Sequence, residues 1–468
     1  MENQNPPSEL LQSFVDLFNQ GRLQEALSES TKLLKKFPNS VVLFNIAGAS
    51  NAGLKQFDAA IHNYKQALKI KPDYADAYFN MANVFKVKGD LEEAIENYKQ
   101  ALKLKPNYAD AYNNMGNALK DKGDPEAAIE SYKQALKIRP NSANTYNNMG
   151  SALKDKGDLE EAVNSYKKAI KIKPSYTRAK SNLVKLLTTF TSKNESSNLI
   201  VKVNEQIRKI NIKENTSKII SDDQAIALFL KSESYISMFG LNLRTELTQV
   251  FRRNSVDLNC ARHKSIFDKH DIIPEFCFGC YKVQVEPRSL IELIKLFIVF
   301  DQLELNENNT RKCWVEERPE VSGFYKGVIF CSGLEQANTI SKDLDIIIKQ
   351  SIDSGLTSQV KRGCSEYPIS YPNYKEINNS GPQLMNYKEE WKVIEVAHDE
   401  EKPIYPKAGK RPSLSGLSLS DTLVIRKWID YARGIGDPTA DLLSKDKLYY
   451  PGIYNIAKAR LDKFNFSY

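Results

Sequence analysis

The sequence predicts an all-α superhelix of repeated helix pairs followed by a separate α+β domain. Three observations carry this. Pro38, Pro72, Pro106, Pro140 and Pro174 stand in equal steps of 34 residues, the mark of a repeating structural unit. Ala26, Ala60, Ala94, Ala128 and Ala162 keep the same step, as do Tyr64, Tyr98, Tyr132 and Tyr166, and Gly89, Gly123 and Gly157. After Thr189 the period stops, and residues 274–370 alternate β-branched and aromatic runs with amphipathic helical ones.

One unit, Ala75 to Tyr108, shows why the repeat folds. Tyr78, Met81, Ala82 and Phe85 fall at i, i+3, i+4 and i+7, one face of a helix. Gly89 permits positive φ at that helix's end, and Asp90 is placed to cap the next helix. Ala94, Tyr98, Ala101 and Leu102 mark the inner face of that second helix. The small Ala94 lets the two helices approach, and Tyr98 fills the space beside it. Pro106 stops the pair. Neither helix buries its stripe alone, so neighbouring pairs must stack.

These positions resemble those of the tetratricopeptide repeat (TPR) family over residues 7–190, with repeats starting near Pro7, Val41, Ala75, Ala109 and Ala143. The first is degenerate, with Ser30 where later repeats have Tyr, as a terminal cap is expected to be. A closing helix is expected over about Tyr176 to Thr189. The resemblance implies a TPR superhelix that takes a protein or peptide partner on the concave face lined by each repeat's first helix.

On that helix Asn80, Asn114 and Asn148 recur every 34 residues. Asn83, Asn117 and Ser151 come three residues later, and Lys86, Lys120 and Lys154 three further on. Spacings of three put all nine on one stripe. A carboxamide both donates and accepts, so a ladder of them satisfies an extended peptide backbone without reading its sequence. The lysine row adds attraction for acidic side chains or a C-terminal carboxylate. The arrangement is similar to the asparagine ladder of the O-GlcNAc transferase family, and that resemblance implies peptide recognition only. The plainer alternative is that Asn and Lys are consensus filler of recently duplicated repeats.

Residues 190–222 read as a linker with one helix at about Ser197 to Lys209. Beyond it the expected order is strand Phe276–Glu286, helix Pro287–Leu305, strand Lys312–Glu317, strand Phe324–Cys331, helix Leu334–Ile352 and strand Thr357–Cys364. This β-α-β-β-α-β order is that of the ferredoxin-like fold. RNA-binding domains share the topology, but Gly327 stands where a base-stacking ring is wanted. Alternation puts Lys282, Gln284, Trp314, Glu316 and Lys326 on the sheet face away from the helices. The C-terminal extension, 371–468, is expected to cover it. That extension is broken by Pro403, Pro406 and Pro412 and closes with helices Asp421–Arg433, after a Ser420 cap, and about Ile453–Phe464.

Cys260, His263, Cys277 and Cys280 form C-x2-H and C-x2-C pairs, the spacing of a tetrahedral zinc site. A strand through Cys277 and Cys280 would point them to opposite faces, so we expect structural thiols and no metal or cofactor. Arg362-Gly363-Cys364-Ser365-Glu366 reads as a strand end with a turn, or as a loop holding a thiol beside a cation. Gly434-Ile435-Gly436-Asp437-Pro438 is a weak ligand-loop signal. The histidines, His62, His263, His270 and His398, have no partner fixed by sequence, and no phosphate loop, nucleophile elbow or H-E-x-x-H occurs.

Lys and Arg total 66 against 58 acidic residues, a net charge of +8, which permits acidic or nucleic-acid partners without demanding them. The first residues, Met1 to Pro7, lack the basic and apolar regions of a secretory signal. The six cysteines are irregularly spaced, as in a reducing compartment. The expectation is a cytoplasmic, non-enzymatic scaffold or adaptor with domains at 1–190, 223–370 and 371–468, nucleic acid and membrane being disfavoured as partners. The alternatives are an enzyme of unrecognised type whose TPR arm recruits a protein substrate, or a metal- or RNA-binding module on such an arm.

Overall fold

The computed structural model of the chain describes residues 6–190, 198–212, 219–241, 243–245, 247–253, 260–307, 309–319, 321–364, 367, 370–379, 381–401, 414–445 and 448–465. The chain divides into two compact units, Met1–Leu183 and Val184–Tyr468.

The first unit is a stack of helix pairs. These are α1 (Ser8–Asn19) with α2 (Leu23–Leu34), α3 (Val41–Gly53) with α4 (Phe57–Ile70), α5 (Ala75–Lys88) with α6 (Leu91–Leu104), α7 (Ala109–Lys122) with α8 (Pro125–Ile138), and α9 (Ala143–Lys156) with α10 (Leu159–Ile172). The closing helix α11 is Thr177–Leu187. First helices of successive repeats touch, α3 with α5, α5 with α7 and α7 with α9, and so line one face together.

The 34-residue signals have distinct physical jobs. Gly89, Gly123 and Gly157 end their helices at φ +93°, +93° and +98°, a conformation costly for residues with a Cβ. Asp124 caps α8 by accepting from the Ala127 amide at 3.0 Å, whereas Asp90, expected to do the same for α6, makes no such bond. Ala60, Ala94, Ala128 and Ala162 are completely buried, and Tyr64, Tyr98, Tyr132 and Tyr166 are buried with them. The space beside each tyrosine is tight. A Cβ on Gly48, Gly116 or Gly150 would lie 2.5–2.8 Å from the facing tyrosine ring, and in the third repeat the buried Ala82 takes that place.

The second unit opens with α12 (Leu199–Arg208), capped by Asn198, and α13 (Asp222–Met238), which carries a Ser221/Gln224 capping box. The order continues β1 (Gln249–Arg252), α14 (Cys260–His270), α15 (Glu275–Gly279), β2 (Tyr281–Val285), α16 (Leu290–Gln302), β3 (Arg311–Val315), β4 (Tyr325–Cys331), α17 (Leu334–Ser351) and β5 (Ser358–Arg362). It closes with α18 (Pro372–Lys375), α19 (Trp391–Glu401), α20 (Leu419–Gly434), α21 (Ala440–Leu443) and α22 (Pro451–Asn465). The strands make one sheet in the order β1-β3-β4-β2-β5, every neighbouring pair antiparallel. A Cβ on Gly327 would stand 2.2 Å from Leu296, so α16 lies on the Gly327 face.

Three expectations need correction. The strand over Phe276–Glu286 begins only at Tyr281, because Pro274, at φ −57° and ψ 146°, starts the short helix α15 instead. The cap of α20 is Ser418, with Asp421 completing a capping box, and not Ser420. The described part of the C-terminal extension does not cover the Trp314 face. Instead α20 packs beside α16 on the opposite side, where Tyr431 meets the ring of Tyr325. Trp314 is half-buried by its own strand's neighbours, with Lys312 Nζ 4.6 Å from its ring centroid. Pro403, Pro406 and Pro412 lie outside the described residues.

Buried charge joins the strands to the helices. Arg252, 2% exposed, pairs with Asp301 at 2.8 Å and Asp421 at 2.9 Å while its guanidinium sits 4.1 Å from the Phe297 ring centroid. One cation thus clamps β1, α16 and α20. Asp437 in the Gly434–Pro438 turn accepts from the Leu290 amide at 2.7 Å and the Tyr325 hydroxyl at 2.6 Å. The weak ligand-loop signal is therefore a structural tether at the start of α16.

This packing sets two expected outcomes. Ala94→Trp overfills a closed seam and lowers stability by about 1–3 kcal/mol; an unchanged denaturant midpoint would refute the register. Arg252→Met strands two buried carboxylates and costs about 3–5 kcal/mol, read as the unfolding midpoint of the second unit.

Candidate functional site

The first helices of the repeats carry a connected row of carboxamides. Asn182 Nδ2 donates to Asn147 Oδ1 at 2.9 Å, Asn147 to Asn148 at 3.5 Å, and Asn148 to Asn113 at 3.2 Å. Asn113 donates to Asn114 at 3.1 Å, and Asn114 to Asn83 at 2.9 Å. Asn80 donates separately to Asn45 at 3.0 Å. Each link in the chain fixes the amide orientation of the next. An amide has two N–H groups and two lone pairs, so Asn148, committing one donor and one acceptor to the row, keeps one of each, while Asn114 also reaches the Tyr98 hydroxyl.

The nine residues singled out by sequence divide by role. Asn80, Asn114 and Asn148 are half-buried on the face shared by successive first helices. Asn83 and Asn117 accept from the hydroxyls of Tyr98 and Tyr132 at 2.6 and 2.8 Å, and Ser151 meets the Tyr166 hydroxyl at 3.2 Å. Burial pushes the Tyr98 and Tyr132 phenols well above their ordinary range, so both remain donors at neutral pH. This second row therefore ties the first helix of a repeat to the second. Lys86 and Lys120 are half-buried and Lys154 is exposed. Lys120 pairs with Asp121 and Lys154 with Asp155, both at 3.1 Å.

Sequence reasoning passed over the linking amides Asn45, Asn113, Asn147 and Asn182. The signal was present: Asn182 lies one more 34-residue step beyond Asn148, and Asn113 and Asn147 precede ladder positions directly. Phe79 occupies the corresponding place in the third repeat, which is why Asn114 turns to Asn83 instead.

A family model for the TPR repeat matches residues 54–89, 83–123 and 116–157, and one for the tetratricopeptide repeat matches 143–176. Residues 54–176 are tetratricopeptide repeats. A curated relative, the probable UDP-N-acetylglucosamine–peptide N-acetylglucosaminyltransferase SEC of Arabidopsis thaliana, is 36% identical over 76 residues. That stretch is 16% of this chain and spans only 8% of the relative's length. Among solved structures, MamA is 27% identical with a TM-score of 0.32, covering 34% of this chain and 93% of its own. TTC0263, a thermophilic TPR protein of Thermus thermophilus, is 23% identical with a TM-score of 0.33, covering 38% and 96%. YrrB, described as a TPR protein with an unusual peptide-binding site, is 18% identical with a TM-score of 0.31, covering 44% and 91%. TPR arrays are in general protein-interaction scaffolds.

Outside the TPR array, the candidate metal ligands fall on α14, on α15 and just past it. Cys260 is exposed on α14, His263 stacks on Phe276 with centroids 5.1 Å apart, Cys277 is buried in α15, and Cys280 lies just past that helix. Among the described residues no three His, Cys, Asp or Glu converge as a metal requires. A hydrogen bond with Cys364 and burial raise the Cys277 thiol, and burial pushes Cys280 up to about 12. Arg362, beside Cys364, donates to the Phe278 and Tyr374 carbonyls at 2.7 and 3.2 Å; Ser365 and Glu366 lie outside the described residues. His62 is exposed on α4, and His270 meets His398 at 3.2 Å. No helix among the described residues is long and apolar enough to cross a membrane.

Burial, with Arg262 adding to it, lowers the His263 imidazole to about 4, against smaller opposing pulls from Glu395 and Asp399. The unfolded chain takes up this proton near pH 6.5 and the folded chain only near 4. Between those values the unfolded state binds more protons, so stability falls as pH falls. The loss totals on the order of 1–3 kcal/mol. His263→Phe should flatten this slope in pH-dependent denaturation; an identical slope would show that another group titrates.

Proposed function

We propose that the chain is a scaffold whose TPR arm, residues 1–190, captures an extended partner segment along the row Asn80, Asn114 and Asn148. The observation that carries the reading is the connected amide row. It holds the side chains in one orientation and leaves donors and acceptors available along a shared helical face. Preorganised amides bind backbone without the entropic cost of ordering each side chain anew. Lys86, Lys120 and Lys154 bias the groove toward acidic segments. Asn83, Asn117 and Ser151 support it from behind through the tyrosine hydroxyls.

In the same reading the core of the second unit is ferredoxin-like. Support for this comes from the element order β2-α16-β3-β4-α17-β5 and the strand order β3-β4-β2-β5 within an antiparallel sheet that β1 extends. Such a core positions many functions and specifies none, so the partner-binding role rests on the arm.

The test is a panel of unstructured peptides titrated against the full chain. Acidic extended peptides should bind, with affinity falling as salt rises. Peptides N-methylated at alternate residues should lose most binding, because the amides read backbone. Replacing Asn80, Asn114 and Asn148 together by Ala should abolish binding with helicity unchanged. Binding that survives the triple replacement would make the ladder repeat filler.

A further inference from the structure

The second unit contains a cavity of about 520 Å³ between the end of α13, the body of α20 and the segment 448–450. Its volume is that of a small-molecule site. Its walls are mixed: Ile236, Leu243 and Leu448 supply apolar surface, and Tyr449 and Tyr450 supply rings.

Two arginines line it, and their partners do not balance them. Arg426, 5% exposed, donates from Nε and Nη2 to Glu233 at 2.9 and 2.6 Å. Its Nη1 makes no hydrogen bond among the described residues and keeps some exposure to solvent. Arg244 is exposed and has neither an ion pair nor a hydrogen bond among the described residues. The nearby Asp430 accepts from the Tyr449 amide at 2.7 Å and from the Tyr450 amide, and its charge is offset by Arg433 at 3.9 Å. Glu233 therefore offsets one guanidinium and leaves the other uncompensated. A guanidinium held in a partly desolvated cavity with a free edge is a preformed anion donor.

We propose that this cavity binds a small organic anion, its carboxylate or phosphate held by Arg244 and the free edge of Arg426 and its apolar body lying against Tyr449, Leu243 and Leu448. Glu233 orients Arg426 by taking its other edge, leaving Nη1 toward the ligand. The rings and leucines favour a ligand with a flat or aliphatic body over a bare inorganic ion.

The test uses the full chain and four probes in calorimetric titration: phenyl phosphate, benzoate, inorganic phosphate and benzylamine. Saturable binding of phenyl phosphate or benzoate is expected, at least several-fold tighter than inorganic phosphate, with none for benzylamine. Whichever aromatic anion binds more tightly identifies the head group. Arg244→Gln alters an exposed side chain, leaves the fold intact, and should weaken binding on the order of tenfold, the loss of one charged hydrogen bond. Arg426→Lys keeps a cation for Glu233 but removes the free edge, and should weaken binding as much. Benzylamine binding as tightly as the anions, no saturable binding of either aromatic anion, or Arg244→Gln binding with unchanged affinity would each overturn the proposal.

Discussion

The close approach of paired helices at a small residue facing a tyrosine is the constraint on which the rest of the first unit depends. Gly48, Ala82, Gly116 and Gly150 leave room for one ring each, and Tyr64, Tyr98, Tyr132 and Tyr166 fill it. The packing fixes helix separation because there is no slack for either partner to shift. It also brings the ring hydroxyls of Tyr98 and Tyr132 to Asn83 and Asn117. Apolar packing within a repeat thereby sets the positions of polar groups on the face shared between repeats, and the amide row is built on that alignment.

The second unit is organised by different means. Its sheet is joined to its helices through buried charges as well as apolar contact. Arg252 clamps three elements, and the completely buried Arg311 donates to the Phe300 carbonyl at 2.7 Å and also to that of Leu303. Burial lowers the Arg311 guanidinium to about 10, the consequence of taking a cation out of water. Such interactions tolerate loss of one partner poorly, so this unit depends on a few polar links where the repeats depend on many small steric ones.

The repeats were legible because identical physics recurs every 34 residues, so each position was seen several times. The strands β3 and β4 and the helices α16 and α17 were legible because their apolar periods are unbroken. Phe276 to Cys280 misled because aromatic and thiol residues suit a strand, while Pro274 and the turn closed by the Cys280 amide on the Cys277 carbonyl at 3.3 Å decide for helix. The linking amides went unread because a carboxamide's partner lies 31 or 35 residues away, a relation that appears only when the repeats are stacked. Likewise Arg252 and Asp421 lie 169 residues apart, and nothing local in either segment announces the pair.

The most direct test of the groove is the side-chain amide spectrum of the asparagine-labelled full chain, recorded with and without an extended acidic peptide. The account predicts that the NH2 signals of Asn80, Asn114 and Asn148 shift and exchange more slowly with solvent on binding. Asn63 and Asn97, bonded to carbonyls of their own helices at 3.0 and 2.8 Å, should stay in place. Shifts confined to Asn63, Asn97 or the second unit, with the ladder signals unmoved, would contradict it.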